Sequence, residues 1–167
     1  LFLLPTPTLP NTFGETHSLN GPSWTLFMEY IANLLFGSFG HRLKRPLHIV
    51  LCIASAAALI GVALHFRLLG WGWSWNTFWV APIRLAYPFL AGLLVYRLRL
   101  RLRVPQPYIV SSLLLIAVFA FPTPAVMTGL YEAGCVIFVF PLILMMGASV
   151  GEVTGRLGAF CRFTGEI

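Results

Sequence analysis

The sequence predicts an all-α protein, a polytopic bundle of about five transmembrane helices, from its composition and the arrangement of its charges. Of 167 residues, 58% are hydrophobic and only 10% are charged, and the mean hydropathy is +0.84. Soluble domains carry about a quarter charged residues, so we expect lipid to surround most of the chain. The net charge of +6 falls in short clusters between apolar runs. This pattern indicates a protein oriented in a bilayer and argues against nucleic acid as a partner.

Apolar runs of the length that a bilayer requires, about 20 residues, recur along the chain between Pro, Gly or basic clusters. The first is entered through Asn20 and Pro22, which suit a helix cap and a first helical turn. The third follows a Trp-rich run at 70–75 that suits a membrane interface. Pro141 predicts a kink in the fifth. The predicted spans are residues 23–40, 47–64, 78–96, 108–121 and 132–150.

The loops between these spans alternate in basic content, which predicts their orientation. The loops after the first and third spans and the tail after the fifth carry nine Lys and Arg residues, whereas the other side carries one, Arg67. Because cytoplasmic loops are enriched in Lys and Arg, we expect the chain to start outside the membrane and to end in the cytoplasm.

Two ionisable residues lie well inside predicted spans, Glu29 in the first and Arg84 in the third. An Arg at the bilayer centre costs at least about 2.5 kcal/mol, so such residues usually face the bundle interior. Six or seven residues of helix place each of them about 10 Å below the same boundary. The sequence therefore predicts that they face each other, either as a structural ion pair or as a reaction site open to the outside.

Three segments carry a family resemblance. The first is Asn-Gly-Pro-Ser-Trp-Thr-Leu-Phe-Met-Glu at 20–29. The second is the predicted helix from Arg84 to Arg97, which contains a Phe and a Gly. The third, at the end of the chain, is Gly-Arg-Leu-Gly followed by Phe-Thr-Gly-Glu-Ile. Together they resemble signature segments of the acyltransferase 3 family, integral membrane enzymes that O-acylate extracellular and cell-wall sugars. The last segment ends before the Ser-Tyr that the family pattern contains, so we interpret residues 1–167 as a fragment of one transmembrane acyltransferase domain.

The resemblance implies transfer of an acyl group, such as acetyl, to a hydroxyl of an extracytoplasmic saccharide, in a bacterial cytoplasmic membrane. Acyl-CoA is the implied donor, and no bound cofactor is expected. The implied catalytic residues are Glu29 and Arg84. The implied saccharide-binding residues are Trp24, Asn20 and Thr25, and the candidate donor-binding residues are Arg97, Arg99, Arg101 and Arg103.

The sequence assigns no catalytic or ligand-binding role to its histidines or to its cysteines. The Arg and His pair typical of the family is not present, so we expect the catalytic histidine upstream and the fragment alone to be inactive. His41, His48 and His65 are expected to be ordinary interfacial or loop residues. Cys52, Cys135 and Cys161 match no metal-ligand spacing, so no metal site is predicted. The alternative functions are a permease or exporter of a polar or lipid-linked substrate, and a non-catalytic membrane scaffold.

Overall fold

The computed structural model describes residues 4–7, 14–18, 20–124 and 127–149. This part of the chain contains five helices and no strand, which confirms the all-α prediction. The helices are α1 (Ser23–Phe39), α2 (Arg45–Phe66), α3 (Val80–Leu98), α4 (Pro107–Ala120) and α5 (Thr128–Gly147).

Each helix overlaps one predicted span, and the largest difference is at the start of α5. The predicted segment starts at Glu132, whereas the helix begins at Thr128. The predicted span starts at Glu132 because a charged residue ends the apolar run. In the structure, the Oε2 of Glu132 accepts the Leu69 N–H at 2.6 Å, so the helix can continue on both sides of this carboxylate. The end of the predicted fifth span and the tail, residues 150–167, lie outside the described residues.

The helices alternate in direction, so the bundle has two ends. At one end, two loops, residues 14–18 and 70–77, pair through an antiparallel bridge between Glu15 and Ser74, and we call it the cap end. Beneath this bridge, Thr16 is fully buried and donates from its N–H and its Oγ1 to Trp73 O, at 2.9 and 3.0 Å. The opposite end, formed by residues 40–45 and 97–106, is called the basic end.

The described acidic residues and most of the described cations lie toward opposite ends, whereas Arg67 and Arg84 lie on the half nearer the cap end. The described acidic residues, Glu15, Glu29 and Glu132, all lie on the half of the bundle nearer the cap end. The basic end holds no described acidic residue and seven cations, namely Arg42, Lys44, Arg45, Arg97, Arg99, Arg101 and Arg103. The two basic residues of the tail, Arg156 and Arg162, lie outside the described residues.

The core lies chiefly between α2 and α3. Leu59 and Ala63 of α2 and Val80 of α3 are at most 1% exposed, and Ala91 continues this contact along α3. Helix α5 approaches α2 where Gly129 lies against the backbone of Ala63, since a Cβ there would be 2.7 Å from the Ala63 carbonyl oxygen. Small residues permit such close helix packing, as they do in membrane proteins.

Pro141 lies beside an irregular turn of α5. The turn Cys135–Val139 is widened, so that the Phe140 N–H bonds five residues back to Cys135 O. Pro141 has no N–H, so the carbonyl of Ile137 loses its usual helical donor four residues ahead. The Tyr87 hydroxyl of α3 donates to that carbonyl at 2.8 Å instead. A side chain from a neighbouring helix thus supplies the hydrogen bond that the Ile137 carbonyl lacks because of Pro141.

Much of the helical surface is apolar and exposed. In α4, all of which the structure describes, no residue is buried, and Leu113, Ile116 and Phe119 are 60–79% exposed. In the described part of the chain, two helices, α2 and α5, have both the length and the apolar composition needed to cross a membrane. Helix α4 is apolar but shorter.

Candidate functional site

Arg84 lies in the second turn of α3 and is held by two groups of the cap end. Its Nη1 donates to Trp71 O at 2.5 Å. Its guanidinium lies 5.1 Å from the centroid of the Trp24 ring, within the range of a cation–π contact. The loop can approach α3 because Gly72 adopts φ +119, and a Cβ at Gly72 would lie 3.2 Å from Ala81. The loop backbone thereby fixes the direction of the guanidinium.

One side of Arg84 opens into a small space between α1 and α3, which we call the narrow cleft. It measures about 140 Å³, and its walls include Trp24, Thr25, Glu29 and Arg84. These four residues, which the sequence analysis named as site residues, line one cleft. Asn20 is exposed before α1, where its carbonyl accepts the Ser23 N–H at 2.9 Å, and it does not line the narrow cleft.

The expected ion pair between Glu29 and Arg84 does not form. Glu29 is exposed, and no ion pair joins the two side chains in the described part of the chain. Glu132 of α5 and Arg84 instead line one cleft, without an ion pair between them in the described part of the chain. Depth along a helix is readable from sequence, but rotation about its axis is not.

The other side of Arg84 opens into a larger space, which we call the wide cleft. It measures about 640 Å³ and lies between α3, α4, α5 and the loop after α2. Arg84 and Pro88 line both clefts, so one turn of α3 forms the wall between them. The polar residues that line the wide cleft are Arg84, Thr123, Thr128, Tyr131 and Glu132.

Glu132 is the site residue that the sequence analysis missed. It is half-buried and lines the wide cleft, and its Oε2 accepts the Leu69 N–H at 2.6 Å. A signal was available, because Glu132 is the only charged residue between Arg103 and Glu152. A lone charge in an apolar stretch is a functional hypothesis by default. The sequence analysis instead took Glu132 as the first residue of the fifth predicted span, and so did not consider it as a site residue.

The four candidate donor-binding arginines differ in their surroundings. Arg97 donates from Nη1 to Leu43 O at 2.7 Å and from Nη2 to Gly40 O at 2.8 Å. It thereby satisfies carbonyls at the end of α1 and just beyond, where helical donors run out. Arg99 and Arg101 are exposed and, with Arg97, line a cleft of about 580 Å³ at the basic end. Arg103 is exposed and is not among the residues lining that cleft.

Two histidines are buried, one of them against expectation. His48, expected to be interfacial, is fully buried in the first turn of α2, and its Nε2 lies 2.8 Å from Leu90 O. A carbonyl only accepts, so Nε2 carries a proton, and Nδ1 has no hydrogen-bond partner in the described structure. His17 is 6% exposed in the cap, with Nδ1 3.0 Å from Thr16 Oγ1. His65 is exposed, as expected.

The described part of the chain holds no group of three or more His, Cys, Asp or Glu residues placed to bind a metal ion. Cys52 and Cys135 are buried free thiols, and Cys135 lies in the wall of the wide cleft. Comparison of the chain with protein-family models, curated proteins and solved structures finds no match. The function is therefore inferred from the site itself and from the resemblance of the sequence segments.

Proposed function

We propose that this chain belongs to a membrane-embedded O-acyltransferase of the acyltransferase 3 type, which acylates a hydroxyl of an extracytoplasmic saccharide. The observation that carries the proposal is Arg84. It is a half-buried cation in an apolar bundle, fixed by Trp71 O and Trp24, with a cleft on each side. Fixed cations beside a cavity stabilise negative charge that develops in a transition state. The segments that resemble the family place Trp24, Glu29 and Arg84 around one of these clefts.

The proposed setting is a bilayer crossed by all five helices, that of a bacterial cytoplasmic membrane. The exposed apolar side chains of α4 and the separation of charge between the two ends support it, with the basic end in the cytoplasm. Cysteine labelling tests this topology. In a cysteine-free background, Gln106→Cys at the basic end should resist an impermeant reagent added outside, whereas Asn76→Cys at the cap end should react. Labelling of Gln106→Cys from outside would contradict the orientation.

The proposed reaction joins the acceptor hydroxyl oxygen to the acyl carbon and breaks the bond between that carbon and the sulfur of the acyl-CoA donor. A base removes the hydroxyl proton, and the departing thiolate takes up a proton. Arg84 would stabilise the oxyanion formed from the acyl carbonyl. Glu29, in the narrow cleft, would orient the base or the attacking group.

An apolar groove supports a path for the acyl group. Between α1 and α3, a groove of about 410 Å³ extends from Met28 and Leu85, which also line the narrow cleft, to Gly40 and Leu43 at the basic end. Arg99 and Arg101 lie at that same end. Donor phosphates at these arginines and an acyl group in the groove would connect a cytoplasmic donor with Arg84. Donor contact by Arg103 is part of this proposal, whereas saccharide contact by Trp24, Thr25 and Asn20 stays a prediction that only the sequence resemblance implies.

The experiment is an acyl-transfer assay on the full-length protein in nanodiscs, with labelled acetyl-CoA and a saccharide acceptor. Glu29→Gln should abolish transfer and leave a folded, membrane-inserted protein, because Glu29 is exposed and its loss leaves no buried charge unpaired. Glu29→Asp keeps the charge but shortens its reach, so we expect partial activity. Glu29→Gln with wild-type activity would remove Glu29 from the site. Saccharide transport into vesicles without acyl transfer would favour the permease alternative.

A further inference from the structure

We infer that the acceptor hydroxyl is presented from the wide cleft, on the α4 and α5 side of Arg84, and that this cleft is a binding site for a neutral polyhydroxylated ligand. The identity of this ligand as the acceptor depends on the proposed function, whereas the binding site itself does not. Sequence reasoning had placed the saccharide beside Trp24, on the opposite side of Arg84.

The two clefts differ in volume, and this difference indicates which of them can hold a sugar. Small-molecule sites usually measure about 300–1,000 Å³. The wide cleft, about 640 Å³, lies within this range, whereas the narrow cleft, about 140 Å³, lies well below it. A sugar ring with its hydroxyls therefore requires the wide cleft. The narrow cleft suits a group of acetyl size.

The charges of the wide cleft fit a neutral ligand that both donates and accepts hydrogen bonds. Arg84 and Glu132 line it together and carry opposite charges. A guanidinium has five N–H donors, of which Trp71 O takes one, and an ionised carboxylate has about four acceptor positions, of which the Leu69 N–H takes one. Both groups have capacity for a ligand. A hydroxyl can donate to Glu132 and accept from Arg84, whereas a charged ligand would be repelled by one of the two.

Aromatic side chains complete the wall. The rings of Phe121 and Tyr131 stack with centroids 5.4 Å apart, and both residues line the wide cleft. The Tyr131 hydroxyl donates to Val118 O at 2.8 Å, which fixes the ring against α4. Phe121 is 60% exposed. Sites of this kind combine a mainly apolar and aromatic lining with a few fixed polar groups.

Trp24 is less suited to stack on a sugar than its position in the sequence suggested. The Arg84 guanidinium lies over the Trp24 ring at 5.1 Å and occupies that face. Trp24 thus helps to aim Arg84, and the aromatic pair on the other side offers the free surface.

The first test fills the wide cleft in the full-length protein. Val118 lines the cleft from α4, whereas Leu113, on the same helix, is 60% exposed and does not line it. We expect Val118→Trp to raise the acceptor KM by at least about tenfold, the scale on which a hydrophobic pocket discriminates by size, and to leave the donor KM unchanged. Leu113→Trp is the matched control and should leave both constants unchanged. Thr123→Phe, in the loop after α4, provides a second blocking variant if Val118→Trp does not fold.

The second test measures binding without catalysis. Saturation-transfer NMR of the nanodisc-embedded protein would use N-acetylglucosamine, glucose and sorbitol as neutral probes, with glucuronate and glucosamine as charged comparators. Signals for the neutral probes that exceed those of both charged ones, that disappear in the blocking variants and that weaken in Glu132→Gln support the site. No binding of the neutral probes, or binding unchanged in the blocking variants and in Glu132→Gln, overturns it.

The two tests separate the failure of this inference from the failure of the proposed function. Acyl transfer whose acceptor KM is indifferent to both blocking variants would retain the transferase and remove the acceptor from the wide cleft. Neutral probes that bind in the wide cleft of a full-length protein without transfer activity would retain the polyol site and remove the transferase.

Discussion

Arg84 and Arg97 lie on one helix, α3, and their environments differ in a way that separates function from structure. Arg97 gives two hydrogen bonds to carbonyls at the end of α1 and just beyond, and its guanidinium lies 5.8 Å from the Phe36 ring. Arg84 gives one hydrogen bond to a loop carbonyl, stacks on Trp24 and borders two clefts. Arg97 also lines the cleft at the basic end, but two of its N–H donors are held by carbonyls, whereas Arg84 gives one donor to a carbonyl and borders two clefts.

Two arginines in one apolar helix can therefore differ in role, according to which acceptors their N–H groups contact. A guanidinium whose donors are taken by backbone carbonyls stabilises the bundle. One that gives a single hydrogen bond to a carbonyl keeps more of its donors for a ligand or for developing negative charge.

Arg84→Gln tests the functional side of the comparison. Removal of a fixed group that stabilises an oxyanion typically lowers kcat by about 10²–10³-fold, or about 2.7–4 kcal/mol. We expect a loss of this size in the full-length protein, with activity normalised to folded protein by size-exclusion chromatography. Arg84→Lys should recover only part of the activity, because an ammonium lacks the planar fork that reaches Trp71 O and covers Trp24. Full activity of Arg84→Gln would end the distinction between the two arginines.

Arg97→Ala tests the structural side. Hydrogen bonds to charged groups contribute about 1.5–3 kcal/mol each, and Arg97→Ala removes two of them, so we expect a loss of about 3 kcal/mol in the free energy of unfolding, although Gly40 O keeps the Leu43 N–H as a donor. Denaturant unfolding in detergent would measure it. Arg99→Ala is the matched control, since Arg99 is exposed and a surface substitution changes stability by about 0.5 kcal/mol or less. Equal stability losses in the two variants would contradict the capping role of Arg97.

Gly129→Ala tests how the cap end brings Glu132 to Arg84. A Cβ at Gly129 would meet the Ala63 carbonyl oxygen and the Arg67 carbonyl carbon, both at 2.7 Å, so α5 would have to move away from α2. Overpacking of this kind costs about 1–3 kcal/mol. Gly134→Ala, in the same helix with open space at its Cβ, should be neutral or stabilising by up to about 1 kcal/mol. Thermal unfolding of both variants would show whether the close approach at Gly129 is required.

Tyr87→Phe tests the contact of α3 with the widened turn of α5, between the two arginines. The change leaves Ile137 O without the hydroxyl donor and should cost about 1 kcal/mol, the scale of hydrogen bonds between membrane helices. Pro141→Ala supplies a backbone N–H four residues after Ile137, so the double variant should lose less stability than the sum of the single variants. Strict additivity would indicate that the hydroxyl does not replace the missing donor.

Local patterns in the sequence predicted the helical class, the approximate positions of the five helices and the clusters of basic residues between them. These follow from the length of apolar runs and from Pro, Gly and basic clusters, which act locally. The sequence also placed Glu29 and Arg84 at a similar depth, because depth in a helix follows from residue count. His48 was misplaced, since its burial depends on how α3 packs against it.

Packing between the helices fixes which carboxylate shares a cleft with Arg84, which arginine caps α1, and where space is left for a ligand. These depend on the rotation of each helix about its axis and on contacts between residues distant in sequence. Gly129 allows α5 to approach α2, and this approach brings Glu132 to the Leu69 N–H and to the cleft beside Arg84. No local pattern encodes that approach, because it is fixed by the packing of two helices whose contacting residues lie more than 60 positions apart.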